Sequence, residues 1–596
     1  MRIFLSTLLH HDMPKQSTNW RAMWQLIRPY WVSEEKWRAR GLLLSIIALA
    51  LGMVYLEVQF NTWNRVFYNA LETKNYKVFT EQLWRFSYLA FIFIAVAIYR
   101  IYLTQALEMR WRSWMTNRYM RHWLGNQAYY RLEQTGTADN PDQRIAEDLS
   151  YLTNGSLSLS LGLLSSVVTL VSFIGILWEV SGPISFMLGA QKWTIPGYMV
   201  WFAIAYAGIG SLIVGWVGWP LVARNFYQQR FEADFRFGLI RVRENAEAVA
   251  LYRGEPEEGR HLDSLFDRIL ENWWGIMRTT KSLNLVSTFY DQFANIFPFL
   301  TAAPRYFSGA ITLGGLMQIS SAFGQVQGAL SWFISAFTDF AAWKASVNRL
   351  AGFHAAVDAA RAAKTDLDVV KNNVGAILLE DLRLALPDGP MLTLPFSGQV
   401  EAGQRILVAG PSGCGKSTLV RAIAGVWPYG AGNIEIPQQW KLLFLPQKSY
   451  LPIGTLRAAI AYPAAETAYT DLAIRHYLSL CRLRHLERLL DHTDNWGHRL
   501  SPGEQQRLAY VRALLTRPDA LFLDEATSAM DGETEDLVYQ LLLQELPQAA
   551  IVSVAHRESV AKYHQFRWQF AAVQEGGGGA GEEPDRWQYA VHHALV

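Results

Sequence analysis

The N-terminal part of the chain contains three long apolar runs without a charged side chain. They cover residues 152–178, 193–223 and 306–338. A helix of about 20 apolar residues spans the hydrocarbon core of a bilayer. The three runs therefore predict transmembrane helices.

Three further apolar segments each carry one ionisable side chain. They are 41–60 with Glu57, 86–107 with Arg100 and 282–304 with Asp291. Each segment is consistent either with a further membrane span or with a buried helix of a large soluble protein. We predict six spans, which place both ends of the domain on one side of the membrane. A charge inside a bilayer is expensive, so these residues line a pathway or pair with one another.

The pattern changes near residue 405, where short buried strands alternate with helices. The strand "RILVAG" leads into a glycine-rich loop and the helix "TLVRAIAGVW". The loop matches G-x-x-x-x-G-K-[ST], in which backbone N–H groups cradle phosphates, the lysine reaches the β- and γ-phosphates, and the hydroxyl ligates Mg²⁺. The predicted ATP-binding residues are Gly410, Pro411, Ser412, Gly413, Cys414, Gly415, Lys416, Ser417 and Thr418, with Ser417 also a Mg²⁺ ligand.

An acidic pair ends another predicted strand, "DALFLDEATSAMD" at 519–531. Asp524 is placed to hold Mg²⁺ through water, and Glu525 to polarise the attacking water. Such a pair is common by itself, but together with the phosphate loop it predicts an ATPase.

The segment "LSPGEQQR" at 500–507 resembles the signature of ATP-binding cassette (ABC) proteins, usually LSGGQ. The resemblance implies that Ser501, Gly503 and Glu504 meet the nucleotide bound by an opposite subunit. Pro502 departs from the usual glycine and stiffens the loop. Gln447 resembles the glutamine that senses Mg²⁺, and His556 the histidine near the γ-phosphate. We predict Glu525, His556 and Gln447 as catalytic residues, and Ser417, Gln447 and Asp524 as metal ligands.

One expected feature of a cassette is missing. Cassettes often stack adenine on an aromatic residue about 25 positions before the phosphate loop. The segment 378–389 offers only Leu384 and Leu386 there. We therefore expect an apolar contact with the base.

Several longer segments resemble one branch of the family. They include "NPDQRIAED", "APRYFSGAITLGGLMQ" and "LPFSGQVEAGQRILVAGPSG", and are similar to BacA/SbmA-related (YddA-like) ABC half-transporters of bacteria. The membrane domain of that branch is akin to peroxisomal fatty-acyl transporters. The resemblance implies an exporter-type membrane domain of six helices and an α/β P-loop cassette. In several relatives this fold imports antimicrobial peptides or hydrophilic solutes such as cobalamin.

Composition supports a membrane protein in a reducing compartment. The chain is 51% hydrophobic and only 18% charged. Its two cysteines, Cys414 and Cys481, lie in the cassette and give no disulfide framework. A net charge of +2 without a basic tract predicts no nucleic-acid partner. The predicted segments are a cytoplasmic N-terminal segment (1–40), the membrane domain (41–354), a linker (355–373), the cassette (374–572) and a flexible tail (573–596).

The distribution of arginine predicts the orientation. Residues 108–151 and 224–281 are rich in Arg, whereas 179–192 contain a single Lys. Positive loops face the cytoplasm, so the cassette and both termini are expected there, in a multi-pass protein of the bacterial inner membrane. No cleavable signal peptide is apparent. Two cytoplasmic stretches, 137–149 and 241–258, are candidates for contact with the cassette.

One cassette on one membrane domain makes half a transporter, because ATP in this family binds between two cassettes. We predict a homodimer, joined through cassettes and membrane domains and surrounded by membrane lipid, that moves peptides or other hydrophilic or amphipathic solutes. The alternative is a proton-coupled carrier with a regulatory ATPase cassette. A soluble ABC ATPase is excluded by six spans.

Overall fold

The computed structural model describes residues 20–136, 140–188, 191–362, 366–387, 389, 391–555, 557–573 and 588–595. The chain divides into two compact units. The membrane unit comprises the described residues up to 123 and from 138 to 355, and the cassette unit those of 124–137 and from 356 onward. This division falls between residues 355 and 356 and also places 124–137 with the cassette. The predicted segments stay a prediction, and they did not assign 124–137 to the cassette.

Long helices make up most of the N-terminal half. They are α1 (Trp20–Trp31), α2 (Lys36–Glu72), α3 (Tyr76–Leu124), α4 (Ala128–Thr135), α5 (Leu149–Ser181), α6 (Tyr198–Glu244), α7 (Ala246–Tyr252), α8 (Glu255–Phe307) and α9 (Leu313–Ala362). A short hairpin, β1 (Ile184–Leu188) and β2 (Gln191–Ile195), joins α5 to α6.

Four helical segments in the described part of the chain are long and apolar enough to cross a bilayer. They are Lys36–Glu72, Tyr76–Thr135, Pro141–Ser181 and Tyr198–Glu244. The helices α8 and α9 contain the other two predicted spans, but they are not among these four. The count of six therefore stays a prediction.

Close approach and paired amides hold the long helices together. A methyl group at Gly210 on α6 would collide with the ring of Tyr290 on α8, so only glycine allows this approach. Asn61 on α2 and Gln318 on α9 form a buried pair. The Asn61 side-chain amide donates to the backbone carbonyl of Gln318, and the Gln318 side-chain amide donates to Asn61 Oδ1, both at 3.1 Å. Small residues and amide pairs are the usual means of packing helices in lipid.

A buried ion cluster lies at the start of α5. Residues Arg144–Asp148 form a single π-helical turn. The Asp148 carboxylate accepts hydrogen bonds from both Arg144 and Arg349 of α9, and Ser346 lies beside Arg349. The Arg144 and Asp148 side chains are only 9% and 3% exposed. Arg144 belongs to the candidate contact stretch 137–149, and the Asp148 carboxylate holds its side chain inside the membrane unit.

The described part of the cassette contains two main sheets and a two-stranded antiparallel pair, β9 with β10. The larger has the order β14-β13-β6-β12-β11-β8, with β14 antiparallel and the other neighbours parallel. The smaller has the order β3-β7-β4-β5. The strands are β3 (Asp366–Asn372), β4 (Ile377–Leu384), β5 (Phe396–Val400), β6 (Arg405–Ala409), β7 (Gly430–Pro437), β8 (Leu442–Leu445), β9 (Gly454–Thr455), β10 (Thr493–Asp494), β11 (Ala520–Asp524), β12 (Ala550–Val554), β13 (Phe566–Val573) and β14 (Gln588–Leu595).

Helices cover the cassette sheets. They are α10 (Lys416–Ile423), α11 (Leu456–Ala461), α12 (Asp471–Leu480), α13 (Trp496–Arg499), α14 (Pro502–Thr516) and α15 (Gly532–Glu545). The central strands β11 and β12 are buried along almost their whole length, as expected for parallel strands covered on both faces.

Two predicted boundaries of the cassette differ from the structure. The predicted linker 355–373 contains the end of α9 and the strand β3. The predicted flexible tail is wrong for residues 588–595, because they form β14 and pair with β13 over their full length. The tail was predicted from low-complexity composition, because residues 574–587 are rich in Gly and Glu. Residues 574–587 lie outside the described residues.

A buried histidine beneath the larger sheet makes the cassette sensitive to acid. The Nδ1 atom of His564 donates to the Val560 carbonyl and its Nε2 accepts from Ser553, both at 2.8 Å, while Tyr539 donates to Ser553. Burial lowers the pKa of His564 from 6.5 to about 4. The folded cassette therefore holds the neutral imidazole, and protonation favours the unfolded chain.

We expect the cassette to lose about 2 kcal/mol of stability between pH 7.5 and pH 5, since the His564 contribution is present above pH 6.5 and is lost as the pH falls towards 4. Urea unfolding followed by tryptophan fluorescence at the two pH values measures it. His564→Gln should flatten this dependence. An equally steep dependence in the variant would contradict the assignment.

Candidate nucleotide site

The phosphate loop begins where β6 ends at Ala409. Gly410 has a backbone φ of 153°, and a Cβ there would lie 2.7 Å from the Cβ of Phe570 on β13. No other residue fits this position. The tight turn leaves Ser412 and Gly413 exposed at the rim and carries the chain into α10.

The Lys416 side chain lies over the phosphate loop that precedes it. Its Nζ atom donates to the carbonyls of Gly410 (2.9 Å) and Pro411 (2.7 Å), and the residue is 5% exposed. A buried ammonium and the N-terminus of α10 make this position electropositive. The arrangement fits the phosphates of ATP.

Cys414 and Thr418 are buried members of the loop. The Cys414 side chain is completely buried, close to the Gly410 Cα position and in the core between the two sheets. Burial raises the pKa of the thiol, and the neighbouring Lys416 lowers it by less. The thiol therefore acts as a core side chain, and only the Cys414 backbone is placed to meet a phosphate.

The strand order places the acidic pair beside the phosphate loop. The carboxyl ends of β6, β11 and β8 lie along one edge of the sheet. Ser417 Oγ donates to Asp524 Oδ1 at 2.8 Å, and Gln447 Nε2 donates to Glu525 Oε2 at 2.9 Å. Burial raises the pKa of Asp524, while the hydrogen bond from Ser417 opposes this.

The oxygen atoms at this edge fit Mg²⁺. Hard cations of this size prefer hydroxyl, carboxylate and amide oxygens, and Ser417, Asp524 and Gln447 would hold the ion. Mg²⁺ held by these residues would supply positive charge to the β- and γ-phosphates. Glu525 has a backbone φ of 51°, an unfavourable value for a residue with a side chain. This conformation and Gln447 orient its carboxylate, which can polarise a water molecule.

The signature loop is a preformed helix start. Ser501 caps α14, its side chain accepting from the Glu504 backbone while Glu504 accepts from the Ser501 backbone and hydroxyl. Pro502 occupies the first helical position, where its missing N–H costs nothing. Burial raises the Glu504 pKa, but hydrogen bonds from Ser501 and His485 outweigh it, so the net shift is downward. The carboxylate is therefore ionised and holds the loop.

A buried glutamine connects the site's three loops, and sequence reasoning missed it. Gln506 Nε2 donates to the carbonyl of Gln447 and to Ser528 Oγ, and Gln506 Oε1 accepts from the Ala529 backbone. A Cβ on Gly503 would lie 2.9 Å from the Ala529 carbonyl, so the signature helix packs directly on this segment. The only sequence signal was a polar residue within the buried face of α14.

Two further predictions concern His556 and the apolar contact with the base. His556 lies outside the described residues. Leu384 is completely buried in the core and Leu386 is 40% exposed on the following turn. Of the two leucines, only Leu386 is open to a base.

Comparison with known protein families identifies both halves of the chain. The family described as ABC transporter transmembrane region 2 matches residues 26–307. The ABC transporter family matches residues 394–528, which include the phosphate loop, the signature and the acidic pair.

Whole-length relatives have the same two halves. The chain is 33% identical over 547 residues to the inner membrane ABC transporter ATP-binding protein YddA of Escherichia coli, covering 90% of this chain and 94% of the relative. It is 27% identical over 515 residues to the human lysosomal cobalamin transporter ABCD4, covering 78% and 82%.

The fold also matches a solved transporter. A bacterial Atm1-family ABC exporter with ATP bound superimposes with a TM-score of 0.68, covering 89% of this chain and 93% of that chain at 17% identity. The protein therefore has an ABC exporter-type fold, with a helical membrane domain and a cassette that uses ATP and Mg²⁺.

Proposed function

Because the chain belongs to the ABC transporter family, we propose that two copies form a homodimeric transporter that moves a peptide or another hydrophilic or amphipathic solute. The chain itself is a half-transporter whose cassette hydrolyses ATP to drive transport. ATP favours the dimer in which the two cassettes are closed, and hydrolysis releases it.

The observation that carries this proposal is the convergence of the hydrolytic side chains. The five side chains, of Lys416, Ser417, Asp524, Glu525 and Gln447, lie along one edge of the sheet. Ser417 is hydrogen-bonded to Asp524 and Gln447 to Glu525, while Lys416 donates to the carbonyl of Gly410. A cassette that served only to bind nucleotide would not need a water-polarising carboxylate. The single phosphate loop and the single signature support pairing with a second copy.

We assign six spans to the membrane domain, with the cassette and both termini in the cytoplasm of a bacterium. The four apolar helices support this multi-pass arrangement, and the predicted spans in α8 and α9 complete it. The arginine-rich extensions of α3 and α6 support the orientation. The inner membrane location follows the name of the relative YddA.

The proposed cargo is supported by one relative and by the resemblance of the sequence. That relative is named a cobalamin transporter, and the BacA/SbmA resemblance of the sequence adds peptides and import as the direction. Glu57 in α2 interacts electrostatically with Arg100 in α3. Such a pairing fits a structural role for Glu57 between two helices, and the transport test decides between this role and the proton-coupled alternative.

The test uses the purified protein in sealed proteoliposomes with the cassettes outside. A labelled hydrophilic peptide is supplied in one arm and labelled cobalamin in another. Movement of either solute should require MgATP, continue in the presence of a proton uncoupler, and persist in Glu57→Gln.

Movement that stops with the uncoupler or with Glu57→Gln, and continues without ATP, would instead establish the proton-coupled carrier. Movement of neither solute would contradict the assigned cargo. The ATPase rate, measured in the same vesicles, separates that result from an inactive preparation.

A further inference from the structure

The turn that usually supplies a stacking aromatic supplies none here. Leu384 is buried, and Leu386 is an aliphatic side chain. Stacking on an aromatic ring is a strong, sequence-tolerant way to hold a nucleobase. The fold places another aromatic residue next to this turn.

The last strand of the chain brings Tyr589 to the turn. Residues 392–394 run alongside β14: the Tyr589 N–H donates to the Leu392 carbonyl, and the Leu394 N–H donates to the Tyr589 carbonyl, both at 3.0 Å. Leu392 in turn donates from its backbone to the Leu384 carbonyl at 2.7 Å. Tyr589 therefore lies where the two cassette sheets meet.

The same contacts connect Tyr589 to the phosphate loop. A Cβ on Gly415 would lie 3.7 Å from Leu392 Cδ1, so the side chain that borders the loop belongs to the segment paired with Tyr589. One strand spacing, about 5 Å, separates that segment from β14. A nucleoside extending from the phosphates towards the turn passes this point.

The orientation of Tyr589 is also suitable. Its side chain packs against the core between the sheets, on the face that carries α10 and Cys414, and it is partly exposed. A competing aromatic, Tyr429, also borders the turn, because its carbonyl accepts from the Ala385 N–H at 3.2 Å. It comes from the segment after α10 and not from the strand that pairs with residues 392–394, so the test includes its replacement.

We propose that Tyr589 is the aromatic residue against which the adenine base of ATP packs, in place of the aromatic missing from the turn. The inference rests on ATP binding at the phosphate loop. The proposal gives β14 a part in nucleotide selection, because this strand places the Tyr589 ring at the edge of the sheet where β6 ends.

The test compares Tyr589→Leu with Tyr589→Phe in the full-length protein. Binding of ATP and of inorganic tripolyphosphate, which lacks a base, is measured by displacement of a fluorescent ATP analogue. Tyr589→Leu should weaken ATP binding about tenfold and leave tripolyphosphate unchanged, whereas Tyr589→Phe should bind both normally. His592→Leu, an exposed position on the opposite face of the strand, is the matched control.

Two results would overturn the proposal. One is native ATP affinity in Tyr589→Leu, and the other is an equal loss of ATP and tripolyphosphate, which would mean that the variant disturbs the loop. In the first case, a base-dependent loss in Tyr429→Leu would assign the base contact to Tyr429 instead. Where ATP binding falls and tripolyphosphate binding stays native, the phosphate site itself is intact and the loss belongs to the base.

Discussion

Replacing Glu525 with Gln is expected to lower ATP hydrolysis by about two to four orders of magnitude while leaving ATP binding intact. Loss of a general base typically has an effect of this size. The substitution keeps the volume of the side chain and leaves an oxygen that can accept from Gln447 Nε2, now 2.9 Å from Glu525 Oε2. Only the charge that polarises water is removed.

Steady-state phosphate release gives the rate, and displacement of a fluorescent analogue gives the affinity. The variant should also accumulate an ATP-bound dimer on size-exclusion chromatography. Glu533→Gln, in which an exposed carboxylate near the start of α15 is neutralised, is the control and should hydrolyse ATP normally. Near-native hydrolysis by Glu525→Gln would assign the base to another residue.

The second large effect is expected in the membrane unit. Asp148→Ala removes the carboxylate that Arg144 and Arg349 share, and so takes away the hydrogen-bonded anion that holds the two guanidinium groups together. Removing one partner of a buried ion pair costs about 3–5 kcal/mol. Arg144 has a largely buried side chain and cannot turn to water without unwinding the π-helical turn.

The measurement is the thermal stability of the protein in detergent, by loss of the monodisperse peak after heating. Asp148→Ala should unfold several degrees below the native protein, and the adjacent Glu147→Ala, at an exposed position, should not. The double variant Asp148→Leu, Arg144→Met should recover part of the loss, because it removes a buried charge with its partner. Native stability in Asp148→Ala would show that the cluster is solvated.

Local sequence was sufficient to predict the conformation of those parts of the candidate nucleotide site that consist of contiguous residues. The phosphate loop from Gly410 to Ser417 is positioned by the strand and the helix on either side of it. The spacing of its glycines therefore predicts its conformation. The same reasoning holds for Ser501 and Glu504, whose capping box closes over three residues.

Contacts between distant residues could not be predicted in the same way. Gln506 joins the loops at Gln447 and Ser528 only because α14 packs beneath both. Its amide resembles any polar side chain on a helix. From the sequence, the Cys414 thiol could face either the nucleotide or the core. In the structure it packs against the core between the two sheets.

The sequence by itself determined the two-part organisation, the apolar helices and the ATPase chemistry, because hydropathy and loop motifs are properties of neighbouring residues. Tertiary structure alone decided the pairing of Asp148 with Arg349, 201 residues away, and the position of β14 beside the turn after β4. Burial and strand pairing depend on which distant segments meet. In both cases a polar group exchanges its hydrating water for a specific partner in the protein. A linear pattern does not contain that choice of partner.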